Sequence, residues 1–209
     1  MKHQKILYTG LDPQRYQHDG EIVHLPLIQT MPRPFTGKLR AAFENLSVYT
    51  HVVITSRTAA KLYMDYASLA QQSPRDKIYI SVGVATTRVL EELEISVHDT
   101  ATEQTGEGIV RILHGLDLQA AHLFFPRSAL AREVIPAYCV ENQIRLTVLD
   151  LYDTLPRDVA LPDLTEFEQI VFTSPSTVHA FFKCVKTRPS LDKCCPIGPV
   201  TEKALKQYY

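Results

Sequence analysis

The sequence predicts an α/β protein built from two related units, each a parallel β-sheet with crossover helices, and three observations carry this expectation. Short apolar runs suited to buried strands alternate with segments of helical periodicity. One strand–helix junction occurs twice, each time with a second, glycine-bearing junction behind it. Two proline-bearing segments interrupt the pattern where the chain would cross between the units.

The strand candidates are, in order, "KILYT" (5–9), "EIVHL" (21–25), "HVVIT" (51–55), "KIYISV" (77–82), "ISVH" (95–98), "HLFFP" (122–126), "IRLTVLDL" (144–151), "QIVFT" (169–173) and "CCPIG" (194–198). Several are continuous apolar runs, the pattern of strands covered on both faces. Between them, "SRTAAKLYMDYASLA" (56–70) sets Ala60, Tyr63, Met64 and Ala67 on one helical face. "SALAREVIPAYCVEN" (128–142) does the same with Leu130, Val134, Ala137, Tyr138 and Glu141, with Pro136 as a candidate kink.

The repeat aligns "VVITSRTAAKLYM" (52–64) with "IVFTSPSTVHAFF" (170–182), placing Thr55 and Ser56 on Thr173 and Ser174. Downstream, "VGVATTRVLEEL" (82–93) aligns with "IGPVTEKALKQY" (197–208), placing Gly83 on Gly198 and Thr86 on Thr201. The spacing from threonine to glycine is 28 residues in one copy and 25 in the other. Of the two crossings, "LPLIQTMPRP" (25–34) holds three prolines and "DLYDTLPRDVALPD" (150–163) two. Prolines impose extended or turn conformations on themselves and on their predecessors. If both segments are linkers, residues 35–149 form a domain inserted into an outer domain of residues 1–30 and 155–209. The two crossings would pair as a small ladder, with a cleft between the domains.

Composition narrows the function. The chain has 209 residues, 45% of them hydrophobic and 22% charged, with a formal net charge of −1. That is an ordinary globular balance, and it gives no broad surface for nucleic acid or membrane. The opening "MKHQKILYTG" has no long apolar core or cleavage pattern, and a cytoplasmic location is expected. Cys139, Cys184, Cys194 and Cys195 form no C-x-x-C pair and have no histidine at zinc spacing, so thiols packed as structural residues are expected. There is no G-x-G-x-x-G, no Walker A lysine and no assignable Ser-His-Asp or Cys-His set.

Candidate contacts therefore lie at the strand–helix junctions. The carboxyl edge of a parallel sheet is where such folds take ligands, and helix N-termini there present free N–H groups suited to carboxylates. Thr55, Ser56, Thr86, Ser174, Ser176, Thr177 and Thr201 supply hydroxyls at these positions, and Thr9 ends the first strand. Each has a plainer role as well: Ser56, Thr105, Ser128 and Ser174 read as helix caps. Ser176 and Thr177 exceed what one cap needs, which favours ligand contact. Arg127 follows an apolar strand and could fork onto a carboxylate. Tyr152 stands in the second crossing, where it would pack against a domain face or, if the crossing lines the cleft, donate a proton or hydrogen bond to a ligand; Asp153 beside it reads as a turn residue.

The ordered set "VVITSRTAA" (52–60), "SVGVATTRVLEE" (81–92), "EQTGEGIVRIL" (103–113), "FFPRSALAREVIPA" (124–137), "VLDLYDT" (148–154), "VFTSPSTVHAFF" (171–182) and "IGPVTEKAL" (197–205) resembles the uroporphyrinogen-III synthase family across most of the chain. The resemblance implies two α/β domains joined by a two-stranded ladder, with the active site in the cleft. It implies a cofactor-free, metal-free, monomeric enzyme that cyclises hydroxymethylbilane to the type III isomer, inverting ring D and losing water. Tyr152 then corresponds to the family's linker tyrosine, which assists the leaving hydroxyl. Thr86, Ser174, Ser176 and Thr201 correspond to its cleft hydroxyls. Two departures stand out: Gly10 follows Thr9 where the family usually has arginine, and the sequence ends at Tyr209, before a further strand and helix. The alternative readings are a non-catalytic binder of an anionic tetrapyrrole or other small acid, and a hinged sugar- or amino-acid-binding protein.

Overall fold

The computed structural model describes residues 4–14 and 16–209, and the chain divides into two compact units, Met1–Thr30 with Thr154–Tyr209, and Met31–Asp153. The first unit holds a four-stranded parallel sheet in the order β10-β9-β1-β2, from β1 (Lys5–Tyr8), β2 (Glu21–His24), β9 (Gln169–Phe172) and β10 (Cys194–Pro196). Helices α6 (Pro175–Cys184) and α7 (Pro199–Leu205) cover one face, where Phe172, Val178, Phe181 and Leu205 are buried together. The opposite face buries a small cluster of Ile6, Tyr8 and Val171.

The second sheet has six strands in the order β3-β8-β7-β4-β5-β6. Its members are β3 (Ile28–Pro32), β4 (His51–Ile54), β5 (Ile78–Ser81), β6 (Asp99–Thr100), β7 (His122–Ser128) and β8 (Arg145–Pro156). From β8 through β6 all neighbours are parallel. The hydrogen bonds Arg33 N to Leu151 O and Arg157 N to Leu27 O run the register the other way, so β3 is antiparallel to β8 and this sheet is mixed rather than wholly parallel.

Strand alternation builds two cores in the second unit. Val52, Ile54, Tyr79 and Phe124 face α1 (Gly37–Glu44), α2 (Arg57–Leu69) and α3 (Val84–Glu92). Val53, Ile80, Leu123 and Phe125 face α4 (Gly106–His114) and α5 (Val134–Glu141). The continuous apolar strands follow from this: a sheet with helices on both sides has no polar face. The repeated junctions take the same topological positions, β4–α2 and β9–α6 with serine caps, then β5–α3 and β10–α7 with glycine caps.

Four expectations change. "ISVH" (95–98) is not a strand. Ile95 N–H bonds Leu90 O at 2.9 Å and Glu94 sits at φ 60°, closing α3 in a Schellman turn whose apolar partner, Ile95, is 3% exposed. Pairing comes later, at Asp99 with Ile80. The helix expected over 128–142 begins only at Val134, because β7 runs to Ser128 and a turn follows. Its buried face is therefore Ile135 and Cys139, while Leu130 is exposed and Pro136 lies in the first turn, where no N–H is required. Burial pushes the Cys139 thiol up to about 11. Ser128 does not cap this helix; its Oγ accepts the Leu130 N–H at 3.2 Å in the turn. Finally, β8 runs to Pro156 rather than ending at Leu151, so Tyr152 and Asp153 lie on a strand. Helix α1 escaped the sequence reading because it is eight residues long, starts on Gly37 and has no side-chain cap.

Candidate active site

In the second unit, the carboxyl edge brings two of the singled-out residues into contact. Ser56 is the N-cap of α2 and its Oγ accepts the Ala59 N–H at 3.0 Å. The same Oγ lies 3.0 Å from Tyr152 Oη. A bulge makes the contact: Arg127 pairs with Asp150, but Ser128 pairs with Tyr152, which leaves Leu151 as the extra residue. Strict alternation would send Leu151 and Tyr152 to opposite faces. The bulge puts both into the core beneath α2, with Leu151 fully buried and Tyr152 5% exposed.

The strand on either side of Tyr152 is pinned. Arg33 forks onto Asp153 through Nε and Nη2 at 3.1 and 2.8 Å, and its Nη1 reaches Asp150 at 3.3 Å. Arg127 Nε holds the other Asp150 oxygen at 3.0 Å, and its Nη2 holds Glu133 at 2.6 Å. Tyr66 Oη donates to Arg33 O at 2.6 Å and lies 3.4 Å from the bulge carbonyl, Leu151 O. Asp153 is thus an ion-pair residue rather than a turn residue. The Arg33 fork holds its carboxyl below the ordinary 3.8. A group with a depressed folded-state pKa stabilises above its unfolded value and loses that contribution as pH falls through the folded one. The fork is therefore expected to hold at neutral pH and to weaken only in acid below 3.8. The Asp153 carboxyl titration followed by NMR should move up toward the ordinary value in Arg33→Met; no change would remove the fork as its cause.

Arg127 is not a free fork for a ligand in this arrangement. Its side chain is 11% exposed, two carboxylates hold Nε and Nη2, and its buried Nη1 has no protein partner among the described residues. Thr86 is buried in the first turn of α3, and Thr55 is half-buried beside Ser56. The hydroxyl that binds within this corner is Thr87, joined to Ser81 and, at 2.7 Å, to Thr100, which ties α3 to the ends of β5 and β6. No motif marked it. The Arg33–Asp150–Arg127 group had a signal in hindsight, since aspartates flank Tyr152 on both sides in "LDLYD".

In the first unit, the junction "FTSPSTV" makes a complete capping box. Ser174 Oγ accepts the Thr177 N–H at 3.4 Å, and Thr177 Oγ1 accepts the Ser174 N–H at 3.2 Å while donating to Ser174 O at 2.7 Å. Thr177 is fully buried, so it is not surplus to capping and leaves the candidate ligand contacts. Thr9 leaves them too: it is fully buried and its Oγ1 donates to Val171 O at 2.7 Å. Thr201 is 3% exposed in the first turn of α7, behind Gly198, whose φ of 82° favours glycine. Ser174 and Ser176 are only half-buried.

The glycine after Thr9 has a steric cause. A Cβ at Gly10 would lie 2.5 Å from Thr173 Cγ2 and 2.6 Å from its Oγ1, and His24 Nε2 holds Gly10 O at 2.9 Å. Gly10→Ala is expected to destabilise the protein by about 1–3 kcal/mol through overpacking. Thermal melts of a double-mutant cycle with Thr173→Ala should recover most of that loss; additive losses would place the cost elsewhere.

Among the described residues no three His, Cys, Asp or Glu side chains are grouped to hold a metal, and no helix is long and apolar enough to cross a membrane. The corner instead offers hydrogen-bond chemistry. Ser56 Oγ has one proton and accepts from Ala59, so the Ser56–Tyr152 pair shares two hydroxyl protons and needs only one for its own bond. The other takes no part in that bond.

Comparison with known proteins sets this geometry in a family. Residues 12–209 match the family described as Uroporphyrinogen-III synthase HemD. The chain belongs to the uroporphyrinogen-III synthase family. A relative provisionally named uroporphyrinogen-III synthase, from Methanothermobacter thermautotrophicus, is 26% identical over 189 residues, covering 83% of this chain and 75% of that protein. The porphyrin biosynthesis protein HemD of Ruminiclostridium josui is 27% identical over 207 residues, covering 92% of this chain and 40% of that longer protein. A solved mutant uroporphyrinogen III synthase from Thermus thermophilus superposes with a TM-score of 0.68, at 15% identity, over 98% of this chain and 89% of that one. The uroporphyrinogen-III synthetase of Helicobacter pylori gives a TM-score of 0.62 at 15% identity, over 98% and 89%. At these identities the structures establish the mixed α/β fold, and the family match establishes the synthase lineage, an enzyme family of porphyrin biosynthesis.

Proposed function

We propose that this chain acts as a uroporphyrinogen-III synthase, cyclising hydroxymethylbilane to uroporphyrinogen III with inversion of ring D and loss of water. The observation that carries the reading at the level of chemistry is the contact of Tyr152 Oη with Ser56 Oγ at 3.0 Å. In one of its two arrangements Ser56 donates to the phenol oxygen, and the Tyr152 proton is directed to a ligand. That proton would go to the ring A hydroxyl as its C–O bond breaks, so that water leaves and the cation is shared with the pyrrole nitrogen. Ring D then attacks through its substituted carbon to form a spiro intermediate; its original bond to the ring C methylene breaks, and the unsubstituted carbon of ring D captures the resulting cation to close the type III skeleton. The later loss of a ring proton restores the tyrosine.

Much of the remaining catalysis is positioning, since the bilane cyclises unaided to the wrong isomer. Ser174 and Ser176 from one unit, and Thr55, Thr86 and Thr201 near the other junctions, are the proposed hydrogen-bonding groups for its carboxylates. The positive N-terminal ends of α2, α3 and α6 act with them. A hydrogen bond to a charged group contributes about 1.5–3 kcal/mol, so a few of them fix an acid-rich substrate. The same proposal includes the two-domain organisation, with β3 and β8 as the connection. Its substrate is a small molecule; a monomer working in the cytoplasm without nucleic acid completes the reading.

The test is the rate of bilane consumption. Freshly generated hydroxymethylbilane should disappear faster with the protein than in buffer. Equal rates, with binding retained, would overturn catalysis in favour of a non-catalytic binder of the same acid.

A further inference from the structure

We infer that the first unit carries a second binding site, for a small amphipathic anion, at the amino edge of its sheet. A recess of about 580 Å³ lies between the segment leading into β9 and the loop after α6. Its size suits a small organic ligand. Both segments precede strands, whereas Ser174 and Ser176 follow one, so the recess lies at the opposite sheet edge from the proposed substrate contacts in this unit.

The floor is apolar. Val159, Leu161, Leu164 and Val185 pack on the core around Phe181, yet each remains half-exposed on its other side. Four half-covered aliphatic side chains around one concavity are costly to leave in water, and an apolar body would cover them.

The rim is cationic. Lys186, Arg188 and Lys193 line it against a single carboxylate, Asp163. Three cations and one acid give a local charge of +2, on a chain whose formal net charge is −1. Asp163 does not neutralise them by direct pairing; its Oδ1 accepts the Thr165 N–H and O–H at 2.9 and 2.7 Å. Lys193 gives one donor to Phe167 O and Arg188 one to Tyr208 O, each at 2.8 Å, which fixes both side chains at the mouth. A lysine has three donors and an arginine five, so donors remain for a ligand. The ligand class that meets both requirements is an alkyl or aryl body with one carboxylate, sulfonate or phosphate head. This site is independent of the bilane reading and stands whether or not the chain is a synthase.

The probe is 8-anilino-1-naphthalenesulfonate, an aryl sulfonate whose emission rises in apolar surroundings, titrated into the full chain. Saturable one-to-one binding is expected. N-phenyl-1-naphthylamine, which lacks the sulfonate, should bind at least about tenfold more weakly, because the head group then meets no rim charge. Lys186→Glu, at an exposed position, should weaken the sulfonate by about tenfold, and Ala160→Trp on the exposed wall should abolish binding by filling the recess. Circular dichroism should be unchanged in both variants. No saturable binding, or equal affinity in the wild type and both variants, would overturn the site.

Discussion

Tyr152→Phe is expected to lower bilane turnover by about 10²–10⁴-fold, the usual effect of losing one proton-transfer group, while leaving the melting transition nearly unchanged. The phenyl ring keeps the packing of a side chain that is only 5% exposed, so the change isolates the hydroxyl. Ser56 loses one partner but keeps the Ala59 N–H. The loss should fall on kcat rather than on KM, because carboxylate contacts elsewhere hold the substrate. Ser56→Ala is the control: it should cost about 1 kcal/mol of stability through the cap and reduce turnover less, since Tyr152 keeps its own proton. An unchanged rate and isomer ratio in Tyr152→Phe would remove the phenol from the chemistry.

The largest loss of stability is expected at Phe43→Ala, about 3–5 kcal/mol. Phe43 is fully buried, and its ring meets Tyr63, Tyr66 and Phe124 at centroid distances of 5.6, 5.5 and 5.4 Å. Truncation leaves a cavity among the aromatic rings drawn from α1, α2 and β7, the kind of site where Phe→Ala is costly. Tyr66 also holds Arg33 O beside the Leu151 bulge, so turnover should fall together with stability. Phe43→Leu should cost far less. Urea denaturation followed by circular dichroism compares the midpoints; equal losses for the two variants would show that aromatic volume is not what the site requires.

The parts of the fold legible in the sequence were those written in local pattern. Buried strands such as "HVVI" and "QIVF" announced themselves by continuous apolar character, and the serine caps at Ser56 and Ser174 by residue type. The features that were missed depend on a partner distant in sequence. A one-residue bulge is invisible without β7 beside β8, yet it aims Tyr152 at a serine 96 positions earlier. Likewise, nothing local shows that Thr9 donates to a carbonyl 162 positions away, or that Arg127 is already held by Asp150 and Glu133. "ISVH" misled because the apolar residue closing a Schellman turn looks like the start of a strand. Of the candidate site, Tyr152 was marked by its place in the second crossing and its catalytic role by the family resemblance, while its contact with Ser56 came only from the fold.

The most direct test is the isomer ratio of the cyclised product. Hydroxymethylbilane incubated with the protein, then oxidised to porphyrins and separated by chromatography, should give predominantly the type III isomer, and Tyr152→Phe should shift the ratio toward type I. Type I alone from the wild-type protein, at the level formed in buffer, would contradict the synthase account.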